Sequence, residues 1–154
     1  MIRLNKAMSM LGICSRRDAD SHISSGKVIV NGEPVKEVGV KVSSGDTITF
    51  LGKSFNFQNE IEERAWLYYK PVGLVTTHND EKNRETVFAD LKDKINERVI
   101  SVGRLDLNSE GLLILTNSGE FARFAESPKT GWERHYRVRL FGVPDKTMIS
   151  KLER

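Results

Sequence analysis

Cysteine and long apolar runs are scarce in this sequence. The one cysteine among 154 residues, Cys14, excludes an internal disulfide and a cysteine-based zinc site. No stretch approaches the roughly 20 apolar residues that a membrane-spanning helix needs. Residues 1–6 are not followed by the apolar core of a signal peptide. We therefore expect a cytoplasmic protein that does not bind a membrane.

The excess of positive over negative charge is also small, but it is unevenly distributed along the chain. Hydrophobic residues make up 38% of the chain and charged residues 29%, which favours a folded protein over a disordered one. The net charge is +3, and all of it lies in residues 1–59, which hold 8 Lys/Arg and 5 Asp/Glu. Such asymmetry indicates that the first third meets a polyanion, although an excess of three charges also fits chance.

The first third begins with two predicted helices. Residues 3–11 carry an apolar stripe at helical spacing, and Gly12 is placed to end that helix. Ser15 begins a second helix, with Asp18 three residues later in the manner of a capping box, and Gly26 ends it. The stripe of the first helix consists of Leu4, Ala7, Met8 and Leu11.

Short strands follow the helices. Residues 27–30 are largely β-branched, and Asn31-Gly32 is a strong signal for a hairpin turn. Valines alternate from 38 to 42, and residues 47–50 form another predicted strand. The sequence therefore predicts a small unit of two helices and a β-hairpin region.

Five basic residues cluster near these helices, where they suit contacts to phosphates. They are Arg3, Lys6, Arg16, Arg17 and Lys27. Taken singly, each also fits a solvated helix face. The runs 4–6, 15–19 and 26–32, read LNK, SRRDA and GKVIVNG, resemble the S4 RNA-binding domain over roughly residues 2–50. That resemblance implies binding of structured RNA.

A change in composition separates the two parts of the chain. Residues 51–64 are predicted to be a polar linker, although Phe55 and Phe57 also suit an extension of the preceding strand. Residues 65–154 are predicted to form an α+β unit with a mostly antiparallel sheet. The predicted strands are 66–69, 74–77, 98–102, 112–116 and 135–141, and the predicted helices begin near Thr86, Glu120 and Asp145.

One loop carries the residues best suited to chemistry. Gly103, Arg104, Leu105 and Asp106 stand between two predicted strands. Asp106 is a carboxylate at neutral pH and is able to act as a nucleophile. Arginine–aspartate pairs at this spacing are nevertheless more often structural, so the pair alone is a weak signal.

The longer pattern is more specific. The runs VGRLD at 102–106, SEGLL at 109–113 and LTN at 115–117 resemble the catalytic loop of bacterial ribosomal pseudouridine synthases. KPVG at 70–73 is similar to the first motif of that family, and HYRV at 135–138 to its tyrosine motif. An S4 domain ahead of this catalytic domain is the arrangement in the small-subunit synthase A and large-subunit synthase B branches.

The resemblance implies a reaction and a role for each matching residue. The family breaks the glycosidic bond of a uridine, turns the base and rejoins it through carbon, without cofactor or metal. Asp106 matches the nucleophile, Arg104 the arginine that fills the space of the extruded nucleotide, and Tyr136 the tyrosine that stacks on the flipped base. The residues around Tyr68 and Arg134 resemble those of the large-subunit type more closely. This resemblance favours 23S over 16S rRNA as the substrate.

Other residues give weaker signals. The three histidines share no metal-ligand spacing. Cys14 suits packing, Trp66 and Trp132 suit core or rim positions, and Glu110 suits either a loop position or an acid/base pair with Asp106. Lys70 fits a solvated strand end, or a motif that shapes the fold near the site.

One departure from the family leaves two readings open. The family's third motif, with a basic residue that pairs with the catalytic aspartate, is absent before Arg154. The chain is accordingly either a fragment or a natural truncation, and we expect this form to be inactive. The alternative to an rRNA pseudouridine synthase is a non-catalytic rRNA-binding or ribosome-assembly protein. We expect a monomer in either case.

Overall fold

The computed structural model describes residues 1–58, 60 and 62–152. Its first part contains β1 (Ile2–Arg3), α1 (Leu4–Met10), α2 (Arg16–Ser24), β2 (Val28–Val30), β3 (Glu33–Val35), β4 (Lys41–Val42), β5 (Thr47–Phe50) and β6 (Lys53–Asn56). Its second part contains β7 (Ala65–Lys70), α3 (Val87–Asp90), β8 (Ile100–Val102), β9 (Gly111–Thr116), α4 (Gly119–Glu126), a 3₁₀ turn (Pro128–Thr130) and α5 (Lys146–Leu152).

Local chemistry sets the ends of the first two helices, as the sequence predicts. The Ser15 hydroxyl accepts a hydrogen bond from the Asp18 amide at 3.1 Å and donates one to the Asp18 carboxylate at 2.6 Å. Gly12 and Gly26 follow the two helices with φ of 74° and 70°, a conformation that favours glycine. The two predicted helices are thus confirmed.

The strands of the first part form two small antiparallel sheets. The larger has the order β3-β2-β5-β6, and β1 pairs with β4 in the smaller. Val30 pairs with Glu33 across a two-residue loop in which Asn31 and Gly32 have φ of 51° and 89°. These positive angles are those of a type I′ turn, so the predicted hairpin is confirmed.

A hydrophobic core joins the helices to the larger sheet. Its buried members are Leu4, Ala7, Met8, Ala19, Ile23, Val28, Val42, Ile48, Phe50 and Phe57. Phe57 belongs to the segment 51–64 that the sequence predicts to be a linker, and β6 lies in the same segment. The first half of that segment therefore extends the first unit, because β6 pairs with β5 and Phe57 is fully buried.

The second part is built on an antiparallel sheet of order β7-β9-β8. One face of this sheet packs on a second core made by Leu74, Val87, Leu91, Val99, Leu113 and Leu115. Thr86 begins α3, where its side chain accepts a hydrogen bond from the Ala89 amide, and Ser118 does the same for Phe121 at α4. The α+β architecture with antiparallel sheets is confirmed.

Two predicted strands are wrong, and a third is shorter than predicted. Residues 74–77 make only a single bridge, between Val75 and Thr86, and His135–Phe141 lies outside every strand of the described residues. The second segment alternates apolar and polar side chains, but Tyr136 and Val138 are 65% and 71% exposed. Alternation predicts a strand only where a neighbouring strand takes up the backbone hydrogen bonds. The strand predicted at 98–102 begins at Ile100.

The two parts meet beside α1. The Lys6 ammonium lies 2.7 Å from the Glu120 carboxylate at the start of α4. A cleft of about 280 Å³ is lined by both members of this pair and by Ile2, Met10 and Glu63, among others. No helix in the described part of the chain is long and apolar enough to cross a membrane.

Candidate active site

The loop between β8 and β9 presents two charged side chains to solvent. Arg104 and Asp106 are both exposed, whereas Leu105 between them packs against the second core. With Leu105 packed inward, the exposed side chains on either side of it extend into solvent. The predicted position of this pair between two strands is confirmed, because the loop joins β8 to β9.

Hydrogen bonds from the segment 73–76 hold the backbone of this loop. The Thr76 hydroxyl donates to the Leu105 carbonyl at 2.8 Å and accepts from the Leu105 amide at 3.3 Å. The Gly73 amide donates to the Leu107 carbonyl at 2.8 Å. Gly73 has a φ of 97°, which only glycine adopts readily, and it turns the chain so that this amide faces the loop. Thr76 carries no sequence signal that would have singled it out.

Lys70, at the end of β7, holds the same loop from the protein interior. Its side chain is fully buried, and its ammonium donates to the carbonyls of Pro71 at 3.0 Å, Asp106 at 3.0 Å and Ser109 at 2.8 Å. The solvated strand end that the sequence also allowed is therefore wrong. Burial lowers the pKa of Lys70, and the nearby negative charge of Asp106 opposes that shift.

A signal for this burial was present in the sequence. Trp66, Tyr68 and Lys70 alternate along β7 and so share one face of the strand, and this face is the more buried one. A lysine on the same strand face as two half-buried aromatic residues needs acceptors for its three donors. The glycine-bounded loop supplies two of the three, which are the carbonyls of Asp106 and Ser109.

The beginning of the loop is held by α4. The Gly103 amide donates to the Glu126 carboxylate at 2.7 Å, with Glu126 in the last position of the helix. Gly103 has a φ of 73°, so a side chain at this position would be strained. The loop is therefore anchored at both ends as well as in its middle.

Two other candidates, Tyr136 and Glu110, form no hydrogen bond with Asp106 in the ranges that the structure describes. No hydrogen bond or ring contact joins Tyr136 to the loop among the residues described. Glu110 lies beside the Tyr69 hydroxyl, and its charge raises the pKa of that phenol. Glu110 thus has Tyr69 as its neighbour, whereas the sequence allowed a pair with Asp106.

The predicted RNA-binding residues divide into two groups. Arg3, Arg16, Arg17 and Lys27 are exposed, and none of them forms an ion pair within the described residues. Lys6 is partly buried and is paired with Glu120. Four of the five cations are therefore open to a polyanion, and the fifth contacts the second part of the chain.

The remaining candidates have ordinary surroundings. Cys14 is half-buried against the first core, and burial raises the pKa of its thiol. His78 stacks on Phe88 with ring centroids 3.6 Å apart, and burial lowers the pKa of His78. Within the described ranges, no three His, Cys, Asp or Glu residues are grouped closely enough to hold a metal.

The anchoring by Thr76 leads to a stability prediction. Replacing Thr76 by valine keeps the size of the side chain and removes the hydroxyl that serves both polar groups of Leu105. We expect the free energy of unfolding to fall by about 1–2 kcal/mol in urea titrations. The matched control is Thr77→Val, whose hydroxyl donates only to the exposed Asn79 carbonyl at 2.8 Å. Equal losses in the two variants would contradict the role given to Thr76.

Comparison with family models gives two matches. A model described as RNA pseudouridylate synthase matches residues 64–153, and a model described as S4 domain matches residues 2–48. The first match covers more than half of the chain, and the two lie on the two structural units described above. The runs used in the sequence prediction fall inside these matches.

Comparison with known proteins agrees with the family models. An uncharacterized RNA pseudouridine synthase of Rickettsia prowazekii is 47% identical over 145 residues, which are 94% of this chain and 60% of that protein. Ribosomal large subunit pseudouridine synthase B of Bacillus subtilis is 41% identical over 155 residues, which cover 100% of this chain and 62% of that protein. A crystal structure of a pseudouridylate synthase is 28% identical, covers 84% of this chain and 54% of its own, and has a TM-score of 0.44. The chain thus spans about 60% of the length of these curated relatives.

Proposed function

The chain belongs to the RNA pseudouridylate synthase family and carries an S4 domain, and we propose that it serves to convert a uridine of ribosomal RNA to pseudouridine. The observation that carries this proposal is the anchored loop at Asp106. Three separate elements hold its backbone, through Lys70, Thr76 and Glu126, while the Asp106 carboxylate is exposed. A catalytic group is most effective when its backbone is fixed and its reacting atoms are open to substrate.

The proposed reaction suits a site with one carboxylate. Uridine and pseudouridine are isomers, so the reaction needs no oxidant, reductant or second substrate. The bond from N1 of the base to C1′ of the ribose breaks, a bond from C5 to C1′ forms, N1 gains a proton and C5 loses one. An ionised aspartate is the class of side chain that forms a covalent intermediate in such a step. We propose Asp106 for this role.

The need to extrude the target uridine from its duplex suggests roles for two further residues. A uridine in a duplex has to leave the stack before its glycosidic bond is reached, at a cost of a few kcal/mol. Arg104 stands two residues before Asp106 on the same surface, which suits a side chain that takes the vacated space. Tyr136 is exposed and suits stacking on the extruded base. We propose these roles on the family pattern.

The two structural units suit two different functions, RNA docking and catalysis. We propose residues 1–57 as the RNA-docking domain and residues 65–154 as part of the catalytic domain, joined by the polar segment between them. The first core closes at Phe57, and the second sheet begins at Ala65. The open cations Arg16 and Arg17 at the start of α2 support docking on phosphates.

Docking through α2 predicts a change in salt dependence. In Arg16→Ala/Arg17→Ala, we expect weaker binding to rRNA and a slope of log affinity against log salt that is shallower by about one unit per lost contact. The control is Lys53→Ala, an exposed lysine of β6 outside the predicted set. Filter binding at several salt concentrations measures both. An unchanged slope in the double variant would exclude phosphate contacts by these arginines.

Large-subunit rRNA is the favoured substrate. The support is the 41% identity to the large-subunit synthase B of Bacillus subtilis over the whole chain. The test uses the protein expressed from its whole coding sequence, with unmodified transcripts of large- and small-subunit rRNA as separate substrates. The proposal predicts pseudouridine in the large-subunit transcript alone. Conversion of neither transcript would contradict the proposed function, and conversion of the small-subunit transcript alone would correct the substrate.

A further inference from the structure

An aromatic cluster beside α4 takes no part in the proposed reaction. Trp132 contacts the rings of Phe121 and Phe124 edge-on, with ring centroids 6.2 Å and 6.1 Å apart. The three rings are called the aromatic patch here. Phe124 is 56% exposed and Trp132 is 45% exposed, whereas the buried face of α4 is formed by Ala122 and Ala125. The patch therefore lies on the outer side of the helix.

The patch is held in place by the local fold. Gly131, with a φ of 69°, ends the 3₁₀ turn at Pro128–Thr130 and turns the chain just before Trp132. The Arg134 guanidinium donates to the Ala125 carbonyl at 3.3 Å, which ties the segment after Trp132 to the end of α4. An aromatic side chain that is already held in place loses little conformational entropy when a ligand stacks on it.

The charges around the patch favour a polyanion. Residues 119–139 contain three carboxylates, and each is already engaged: Glu120 with Lys6, Glu126 with the Gly103 amide and Glu133 with His135. The same stretch contains five cations, none of which forms an ion pair in the part of the chain that the structure describes. They are Arg123, Lys129, Arg134, Arg137 and Arg139. Exposed aromatic rings among unpaired cations are the surface that binds single-stranded nucleic acid.

The patch is also connected to the proposed site. Glu126, at the end of the helix that carries Phe124, holds the Gly103 end of the Asp106 loop. Trp132 stands four residues before Tyr136 on one continuous segment.

We infer that the aromatic patch, with Trp132 at its centre, is a stacking surface for an unpaired base of the RNA substrate. This inference rests on the proposed function, because it assumes that the chain binds RNA. It adds a base-stacking contact to the one proposed for Tyr136. Both of these contacts require a base, whereas the contacts at α2 require only phosphates.

Trp132 provides its own probe. The chain has two tryptophans, and Trp66 is half-buried against the second core. The Trp66→Phe variant leaves Trp132 as the single tryptophan, so that its emission is excited apart from that of the three tyrosines. It is titrated with a short oligouridylate and, as the matched control, with an abasic oligonucleotide of the same length and phosphate charge. We expect quenching of Trp132 by the oligouridylate and none by the abasic strand at equal occupancy.

Substitution at the patch gives an affinity readout. We expect Trp132→Leu to bind oligouridylate about 5- to 150-fold more weakly and to leave abasic binding unchanged, as the loss of one base stack implies. Trp132→Phe keeps a ring and should recover part of the loss. Lys129→Ala should instead weaken both oligonucleotides and flatten the salt dependence by about one unit.

The outcomes separate this inference from the proposed function. Binding to RNA that depends on Arg16 and Arg17 but leaves Trp132 emission unchanged would overturn the stacking surface alone. Emission that shifts with protein concentration would assign the patch to a second copy of the chain. If Trp132 emission in the protein expressed from its whole coding sequence is that of a buried tryptophan before RNA is added, the patch is an internal contact. Either assignment overturns the inference, and no RNA binding at all would overturn both proposals.

Discussion

Replacing Asp106 by asparagine is expected to reduce pseudouridine formation by at least about 1,000-fold, while RNA affinity stays within a factor of about two. The amide keeps the size of the side chain but is a very poor nucleophile. RNA docking should be spared, because it rests on phosphate contacts in the first unit. The protein for this test is expressed from its whole coding sequence, since the chain spans about 60% of its relatives.

The chemistry of the reaction supplies a direct assay for this variant. Because C5 of the uridine exchanges its hydrogen for a bond to C1′, RNA labelled with tritium at C5 releases the label to water on conversion. Asp80→Asn is the matched control. This aspartate accepts hydrogen bonds from Arg84 in a turn between β7 and α3, and its substitution should leave tritium release unchanged apart from any loss of stability. Release by Asp106→Asn at the rate of the unsubstituted protein would remove Asp106 from the mechanism.

Replacing Lys70 by methionine is expected to lower the free energy of unfolding by about 2–4 kcal/mol. Methionine retains most of the apolar stem but leaves the carbonyls of Pro71, Asp106 and Ser109 without their shared donor. Because two of these carbonyls belong to the loop, the position of Asp106 should also be less well defined. Urea unfolding measures the first effect, and tritium release in the protein expressed from its whole coding sequence measures the second.

The control for Lys70 is a lysine in a comparable strand. Lys53→Met in β6 removes an exposed ammonium and should change the free energy of unfolding by no more than about 0.5 kcal/mol. If Lys70→Met is as stable as Lys53→Met, then the buried hydrogen bonds contribute nothing net. If its stability falls but its rate of tritium release per folded molecule is unchanged, then Lys70 supports the fold without positioning Asp106.

Features decided by a few neighbouring residues could be predicted from the sequence. The helix that begins after Ser15 and the turn at Asn31-Gly32 are both confirmed, because capping and positive φ depend on local chemistry. The Arg104–Asp106 loop was also found, although its pattern came from a resemblance to a family and not from spacing alone. The loop lies between two strands, β8 and β9, as predicted, and the exposure of its two charged side chains comes from the structure.

Features decided by distant partners were missed or wrong. The alternation at His135–Phe141 predicted a strand, but no strand of the described residues pairs with it. Lys70 fitted a solvated strand end, yet its acceptors at Asp106 and Ser109 come from a loop 36 and 39 residues further along the chain. Phe57 lay in a predicted linker and is buried by the first core. Each of these depends on which segments pack together, which periodicity does not specify.

The most direct test of the central claim is a map of pseudouridine in ribosomal RNA from cells that lack this gene. RNA from such cells is treated with a reagent specific for pseudouridine and read at single-nucleotide resolution, with and without the gene restored. The account predicts that one large-subunit position loses its signal, that the unsubstituted gene restores it, and that the Asp106→Asn gene does not. An unchanged map, or full restoration by the Asp106→Asn gene, would contradict it.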